Sequence, residues 1–138
     1  MVVTQRIGLQ TRGHGDIIDI IGPVAQEVAR SGIKEGIVTI FITGSTAAVT
    51  TIEFEKGLLE DFKTAWQRLV PTDVDYQHDR AWGDGNGYSH VRAALLGASL
   101  VVPVTHGGLT LGTWQQIVVV DFDNRSRSRE VVLQIMGE

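Results

Sequence analysis

Apolar and polar residues alternate along residues 2–12, with Val3, Ile7 and Leu9 recurring among polar neighbours, so the chain opens as a β-strand. Gly13 and Gly15 then mark a turn. The short run DIIDII, residues 16–21, reads as a second strand or as the lead into a helix. Pro23 suits the first turn of that helix, and Val24, Ala25, Val28 and Ala29 continue it at helical spacing up to Ser31-Gly32. Residues 37–43, IVTIFIT, are β-branched and aromatic and form a strand. Residues 46–53, TAAVTTIE, form another, and the two are expected to pair across a bend at Gly44-Ser45. In LLEDFKTAWQRLV the residues Leu58, Leu59, Phe62, Trp66 and Leu69 make one apolar helical stripe, and Pro71 ends it.

Residues 76–97 break the regular pattern. Tyr76-Gln77-His78-Asp79 and the Gly-rich WGDGNG read as loop. SHVRAALL follows as a short helix carrying His90 and stopped by Gly97. Residues 99–104 form a strand that Pro103 pushes towards an edge or a bulge. Gly107-Gly108 carries hairpin chemistry. Residues 115–122 are a long strand, and Asp123-Asn124 with Arg125, Arg127 and Arg129 reads as a solvated polar turn. The last strand, residues 130–136, is apolar on both faces, which places it centrally or in an oligomer interface. The pattern gives about seven strands and about three helices without strict β-α alternation, an α+β class. The two-faced strands outnumber what the helices can cover, so sheet packs on sheet within the chain or between subunits.

With 138 residues and no linker the chain is a single domain, 1–138, large enough for a core without cross-links. It has no cysteine, so thiolate chemistry is excluded and any metal needs His, Asp, Glu or carbonyl ligands. A net charge of −4 leaves no basic footprint for nucleic acid. The first residues lack the apolar segment of a signal peptide, and no run is long enough to span a bilayer, so no membrane partner and a cytoplasmic location are expected.

Candidate chemistry centres on His78 and His90, flanked by Asp75, Asp79 and Asp84. Two imidazoles from adjoining elements can share a zinc-like ion if a third ligand converges, with Asp79, Asp84, Glu53 and His106 as candidates. As plain structure, His78 is a hydrogen-bonded loop residue and His90 part of a helix surface. Gly44, Ser45 and Thr46 offer a close backbone and two hydroxyls to a phosphate, without a Walker pattern. Trp114 offers a stacking face between the hydrogen-bonding Thr113 and Gln115. The alternating arginines could hold an anion, and His14 in GHG reads as an exposed turn residue.

Several of these segments fall into one pattern. GSTAAVTTIEFE, YQHD, the Asn-x-x-x-His of NGYSH, LLGASLVVPV and LTLGTWQQI resemble the YjbQ-like proteins, a family often labelled secondary thiamine-phosphate synthase. The resemblance covers nearly the whole chain. It implies a β-sandwich of seven strands in two sheets with helices, assembled as a homotrimer. It implies weak thiamine-phosphate synthase activity, joining a pyrimidine diphosphate to a thiazole phosphate. It also implies a histidine-lined pocket for a metal or an anion.

On this chain His78, His90 and Asn86 match the family's histidines and asparagine, and Thr113, Trp114 and Gln115 match its GTWQ segment. His78 and His90 are then metal ligands or acid–base groups, with Asn86 beside them. Ser45, Thr46, Thr113, Trp114 and Gln115 hold the phosphorylated substrate, and a divalent ion, zinc or magnesium, is the cofactor. Many members carry a histidine where this chain has Gly44, so one imidazole is missing here. Two other expectations stand beside the transferase: a non-catalytic trimer that binds a metal or an anionic metabolite, and a metal-dependent hydrolase.

Overall fold

A computed structural model describes residues 1–138. In chain order the elements are β1 (Val2–Thr11), β2 (Asp16–Asp19), α1 (Ile21–Ser31), β3 (Gly36–Ile42), β4 (Ala47–Ile52), α2 (Lys56–Leu69), α3 (Gln77–Trp82), α4 (Gly87–Leu96), β5 (Ser99–Thr105), β6 (Gly108–Leu109), β7 (Gln116–Asp121) and β8 (Arg127–Gly137). Five strands form one antiparallel sheet in the order β1-β8-β3-β5-β6, and three form a second in the order β2-β7-β4. The fold is therefore α+β with eight strands in two sheets and four helices, one strand and one helix beyond the count from pattern alone. No helix is long and apolar enough to cross a membrane.

The period-2 pattern explains the layers. On β7, Ile117 and Val119 face the large sheet, while Val118 and Val120 face the other way, as does Phe122 just beyond its end. The first set joins Val38, Ile40, Ile42, Val131, Leu133 and Ile135 in the core between the sheets, closed at one end by Val24 and Val28 of α1. The second set packs under Trp66 of α2 and Tyr88 and Ala93 of α4. The small sheet is thus a middle layer, with the large sheet on one face and helices on the other. The outer face of the large sheet carries no helix. Ile37, Phe41, Val101 and Met136 are exposed there, on neighbouring strands.

Three expectations need correction. β3 and β4 do not pair: β3 lies between β5 and β8, and β4 pairs with β7 in the other sheet. The Gly44-Ser45 turn carries the chain across the sandwich, because Val38, Ile40 and Ile42 must meet the core from the side opposite Ala47 and Val49. The YQHD segment is not loop. The Tyr76 carbonyl accepts from the amides of Asp79 and Arg80, and Gly83 ends the short helix α3 in the left-handed conformation. The arginine run is a solvated turn only at Arg125, which is exposed: β8 begins at Arg127, so Arg127 and Arg129 continue the inward face of Val131, Leu133 and Ile135.

Two fully buried acids meet those arginines. Asp121 accepts Nε and Nη2 of Arg129 at 2.8 and 2.9 Å, the Thr11 hydroxyl at 2.5 Å and the Asp123 amide at 3.0 Å. Asp123 accepts Arg127 Nε at 2.8 Å, the Thr46 hydroxyl at 3.0 Å, Asn86 Nδ2 at 3.2 Å and the Asn124 amide at 2.8 Å. Burial opposes ionisation of both carboxyls, but these donors outweigh it. Asp121 is held below the ordinary aspartate range, and Asp123 falls from 3.8 to about 2. The pair bonds tie β1, β4, α4, β7 and β8 at one end of the sandwich.

Folded values below the unfolded ones mean that this stabilisation is complete above the unfolded pKa and is lost as pH falls through the folded values. Urea unfolding between about pH 4 and pH 2 should show stability dropping by roughly 2 kcal/mol from Asp123 alone. Asp121→Asn, which leaves the buried Arg129 guanidinium only the more distant Asp123 carboxylate at 3.8 Å, should cost about 3 kcal/mol at neutral pH in the same assay.

Candidate functional site

α3 and α4 meet through a glycine. A Cβ at Gly87 would lie 2.6 Å from Cβ of Tyr76, so only glycine lets the first turn of α4 approach α3 this closely. The Gly87 amide donates to Asp79 Oδ1 at 2.8 Å, which fixes an α3 carboxylate at the α4 N-terminus, where the helix dipole favours it. The docking brings the two histidines together. The rings of His78 and His90 have centroids 4.4 Å apart and are tilted by 41°. His78 Nδ1 is buried without a hydrogen-bond partner and stands 3.6 Å from Asp79 Oδ1. The pair therefore has an unused imidazole nitrogen in a shielded position, the type of group that ligates a cation or accepts a proton.

His90 also lines a cavity of about 340 Å³ with Gly44, Ser45, Ala47, Ala93 and Gly97. Small residues form most of its wall, and Ser45 is exposed at it. Gly44 has φ +106°, and a Cβ there would lie 2.7 Å from Nη1 of Arg129. The position where the resemblance calls for a histidine is thus closed to a side chain by backbone conformation and by the clamp arginine behind it. No group of three His, Asp or Glu gathers in the chain. His106 sits on the exposed turn beside Glu35, with Nδ1 3.5 Å from Oε1, and Asp84 lines a separate polar cavity with Asn86 and Arg125. A metal would find two imidazoles here, and the rest of its ligands would come from substrate, water or a second subunit.

The other sequence candidates separate into three groups. Thr46 is buried, and its hydroxyl donates to Asp123 and accepts Arg129 Nη2 at 2.7 Å. Its only donor is engaged, so Thr46 belongs to the clamp and not to a phosphate site. Asn86 is 4 % exposed and precedes α4, with Nδ2 on Asp123 and Oδ1 buried without a partner. It positions the helix that carries His90. Thr113, Trp114 and Gln115 lie on an exposed turn before β7, and Trp114 is 71 % exposed. Gln115 accepts from the Gly112 amide, donates to the Thr51 hydroxyl at 3.2 Å, and lines a cavity with Thr50, Leu96 and Ser99. That cavity shares no lining residue with the one that His90 lines.

Asp121 and Asp123 were not among the sequence candidates, and Arg129 was read as solvated. Their signal was present: Asp121 and Asp123 continue the alternation of Ile117 and Val119, and Arg127 and Arg129 that of Val131. Extending the inward face of each strand puts two acids opposite two arginines.

The fold recurs in known proteins. The family model described as UPF0047 protein YjbQ-like matches residues 5–138. The chain belongs to this family. It is 38 % identical over 137 residues to a UPF0047 protein of Methanothermobacter thermautotrophicus, covering 99 % of this chain and 94 % of that one. It is 40 % identical over 128 residues to one from Archaeoglobus fulgidus, covering 93 % and 97 %. A crystal structure of a YbjQ-like protein of unknown function from Sulfolobus solfataricus superposes with a TM-score of 0.95 at 37 % identity, covering 100 % of this chain and 99 % of that one. One from Aeropyrum pernix gives 0.91 at 31 % identity, covering 99 % of each. The two-sheet fold is thus the YjbQ-like fold.

Gly44 supplies a direct test of the local geometry. Gly44→Ala should lower stability by roughly 1–3 kcal/mol, since it adds a side chain at positive φ against the guanidinium. Gly8→Ala, which meets open space on β1, should stay within about 0.5 kcal/mol of wild type or stabilise. Denaturant midpoints of the two variants measure the contrast.

Proposed function

We propose that the cavity between the Gly44-Ser45 turn and α4 binds a small phosphorylated molecule, and that the reaction it serves is of the thiamine-phosphate synthase type. In that reaction the pyrimidine unit of a pyrimidine diphosphate is transferred onto the ring nitrogen of a thiazole phosphate: a C–N bond forms as the C–O bond to diphosphate breaks, and diphosphate leaves. The observation that carries the reading is the close, tilted His78–His90 pair, of which His90 lines a cavity with the exposed Gly44-Ser45 turn. Ser45 donates to a phosphate oxygen, the imidazoles face the diphosphate, and His78 and His90 would be the two protein ligands of a divalent ion. A bound zinc or magnesium ion supplies neutralisation of the leaving diphosphate. Asn86 and Gly87 keep α4 in register, so His90 stays against His78.

The working form is a homotrimer. The support is the bare outer face of the large sheet, where Ile37, Phe41, Val101 and Met136 lie exposed together. The exposed Trp114 supports the same reading: Gln115 and His90 line different cavities of one chain, and in a trimer GTWQ of one subunit serves the histidine cavity of its neighbour. A cytoplasmic location accords with the cysteine-free sequence.

Purified protein given Mg²⁺ and both precursors should form thiamine phosphate, and His78→Ala/His90→Ala should lower the rate at least about 100-fold. No product above the variant baseline, with a ligand-dependent rise in melting temperature, would replace the transferase by the non-catalytic metabolite binder. Hydrolysis of the diphosphate substrate alone, abolished by a chelator, would indicate the hydrolase. Sedimentation equilibrium should give three times the 15.0 kDa chain mass, and a mass of 15.0 kDa would overturn the trimer.

A further inference from the structure

A second cavity, of about 210 Å³, lies on the helical side of the small sheet, away from the histidine pair. Its body is aromatic: Phe62 and Trp66 come from α2, Tyr88 from α4 and Phe122 from the end of β7. Trp66 stands edge-on to Phe62 and Phe122, with centroids 6.0 and 5.0 Å away. Arg92 and Lys63 also line the cavity, and no acid does.

Arg92 is the unusual member. It is 7 % exposed, yet no carboxylate pairs with it, whereas the clamp arginines Arg127 and Arg129 each have one. Its Nε and Nη2 donate to the Val70 carbonyl at 3.0 and 2.8 Å, and Nη2 also reaches Gln67 Oε1 at 3.3 Å. Those bonds cap the C-terminal end of α2, a structural use of the residue. They leave the charge uncompensated and Nη1 without an acceptor in the chain. The guanidinium carbon lies 5.1 Å from the Tyr88 ring and 5.8 Å from that of Phe122, close enough for cation–π contact. A buried guanidinium without an acid is costly unless an anion joins it. The Trp66 indole N–H is likewise buried without a partner in the same wall.

We propose that this cavity is a binding site for a small monoanion with a flat apolar body, an aromatic carboxylate of benzoate size. A benzene-sized molecule fills an apolar cavity of about 150 Å³, so a ring plus a carboxylate matches the space. The ring stacks among Phe62, Trp66 and Phe122, and the carboxylate pairs with Arg92, with Lys63 adding field at the rim. A phosphate suits the site less, because an ion so strongly hydrated loses its water against aromatic walls without enough donors to replace it. This ligand is distinct from the phosphorylated substrate of the histidine cavity, and the two sites share no lining residue.

The test is a titration of the wild-type chain with benzoate, followed by the indole N–H signals in NMR. Trp66 is assigned by Trp66→Phe. The signal of Trp66 should shift saturably, with a dissociation constant of roughly 0.1–1 mM, while those of the exposed Trp82 and Trp114 stay in place. Benzyl alcohol, which keeps the ring and loses the charge, should bind at least about tenfold more weakly. Lys63→Gln changes an exposed side chain and should weaken benzoate severalfold with the fold intact. Arg92→Lys keeps a charge but loses the planar fork, and should weaken it about tenfold or more where the variant folds. An unmoved Trp66 signal, equal binding of benzyl alcohol, or shifts confined to Trp82 and Trp114 would overturn the proposal. These outcomes are read without any turnover assay, so they stand apart from the fate of the transferase reading.

Discussion

The structure depends on the pairing of Asp121 and Asp123 with Arg129 and Arg127 inside one end of the sandwich. Two sheets of unequal width meet there, and the strand alternation that fills the core with valine and isoleucine runs on into charged residues. Each carboxylate accepts four hydrogen bonds, so the charges are compensated and their lone pairs filled. Such a cluster stabilises less than its Coulomb energy suggests, because both partners lose water on burial. Its larger effect is on geometry. Arg129 can meet Asp121 bidentately and Thr46 at once only if β4, β7 and β8 hold one register.

That constraint reaches the histidines. Asp123 holds Asn86, and Asn86 directly precedes α4, whose first turn docks on α3 through Gly87 and Asp79. His78 and His90 therefore meet because a buried acid in one sheet sets the start of one helix. Arg129 also lies directly behind Gly44, so the clamp decides what the rim of the histidine cavity can carry. A chain with glycine at this place has a wider, less basic rim than one with a third imidazole.

The small sheet serves two cores because β7 is apolar on both faces. Its inner residues complete the sandwich, and its outer ones seat α2 and α4. The aromatic cavity exists on that outer side because Trp66, Tyr88 and Phe122 are rigid plates. Plates at steep angles leave space that branched aliphatic side chains would fill. Arg92 occupies part of that space as a side chain with a flat cation and a long apolar stem.

Much of this was legible in the residues. The α+β class, the sheet-on-sheet packing and the helix with its Leu58–Trp66 stripe follow from periodicity, which is a local property. Residue type singled out His78 and His90 as candidates, and the structure places their rings side by side. What periodicity missed was non-local. IVTIFIT and TAAVTTIE look like hairpin partners, yet they serve opposite sheets, because a run with period 2 states which residues share a face and not which strand lies beside it. The parity of Asp121, Asp123, Arg127 and Arg129 was also in the sequence, but charged residues on a core face read as surface until a partner is placed opposite. By itself, then, the sequence determined the elements, the faces and the reactive side chains. Only the tertiary structure decided that acids and arginines from distant strands neutralise one another, that Thr46 belongs to them, and that Gln115 and His90 line different cavities. Those decisions depend on distances between segments far apart in the chain, which no short-range pattern encodes.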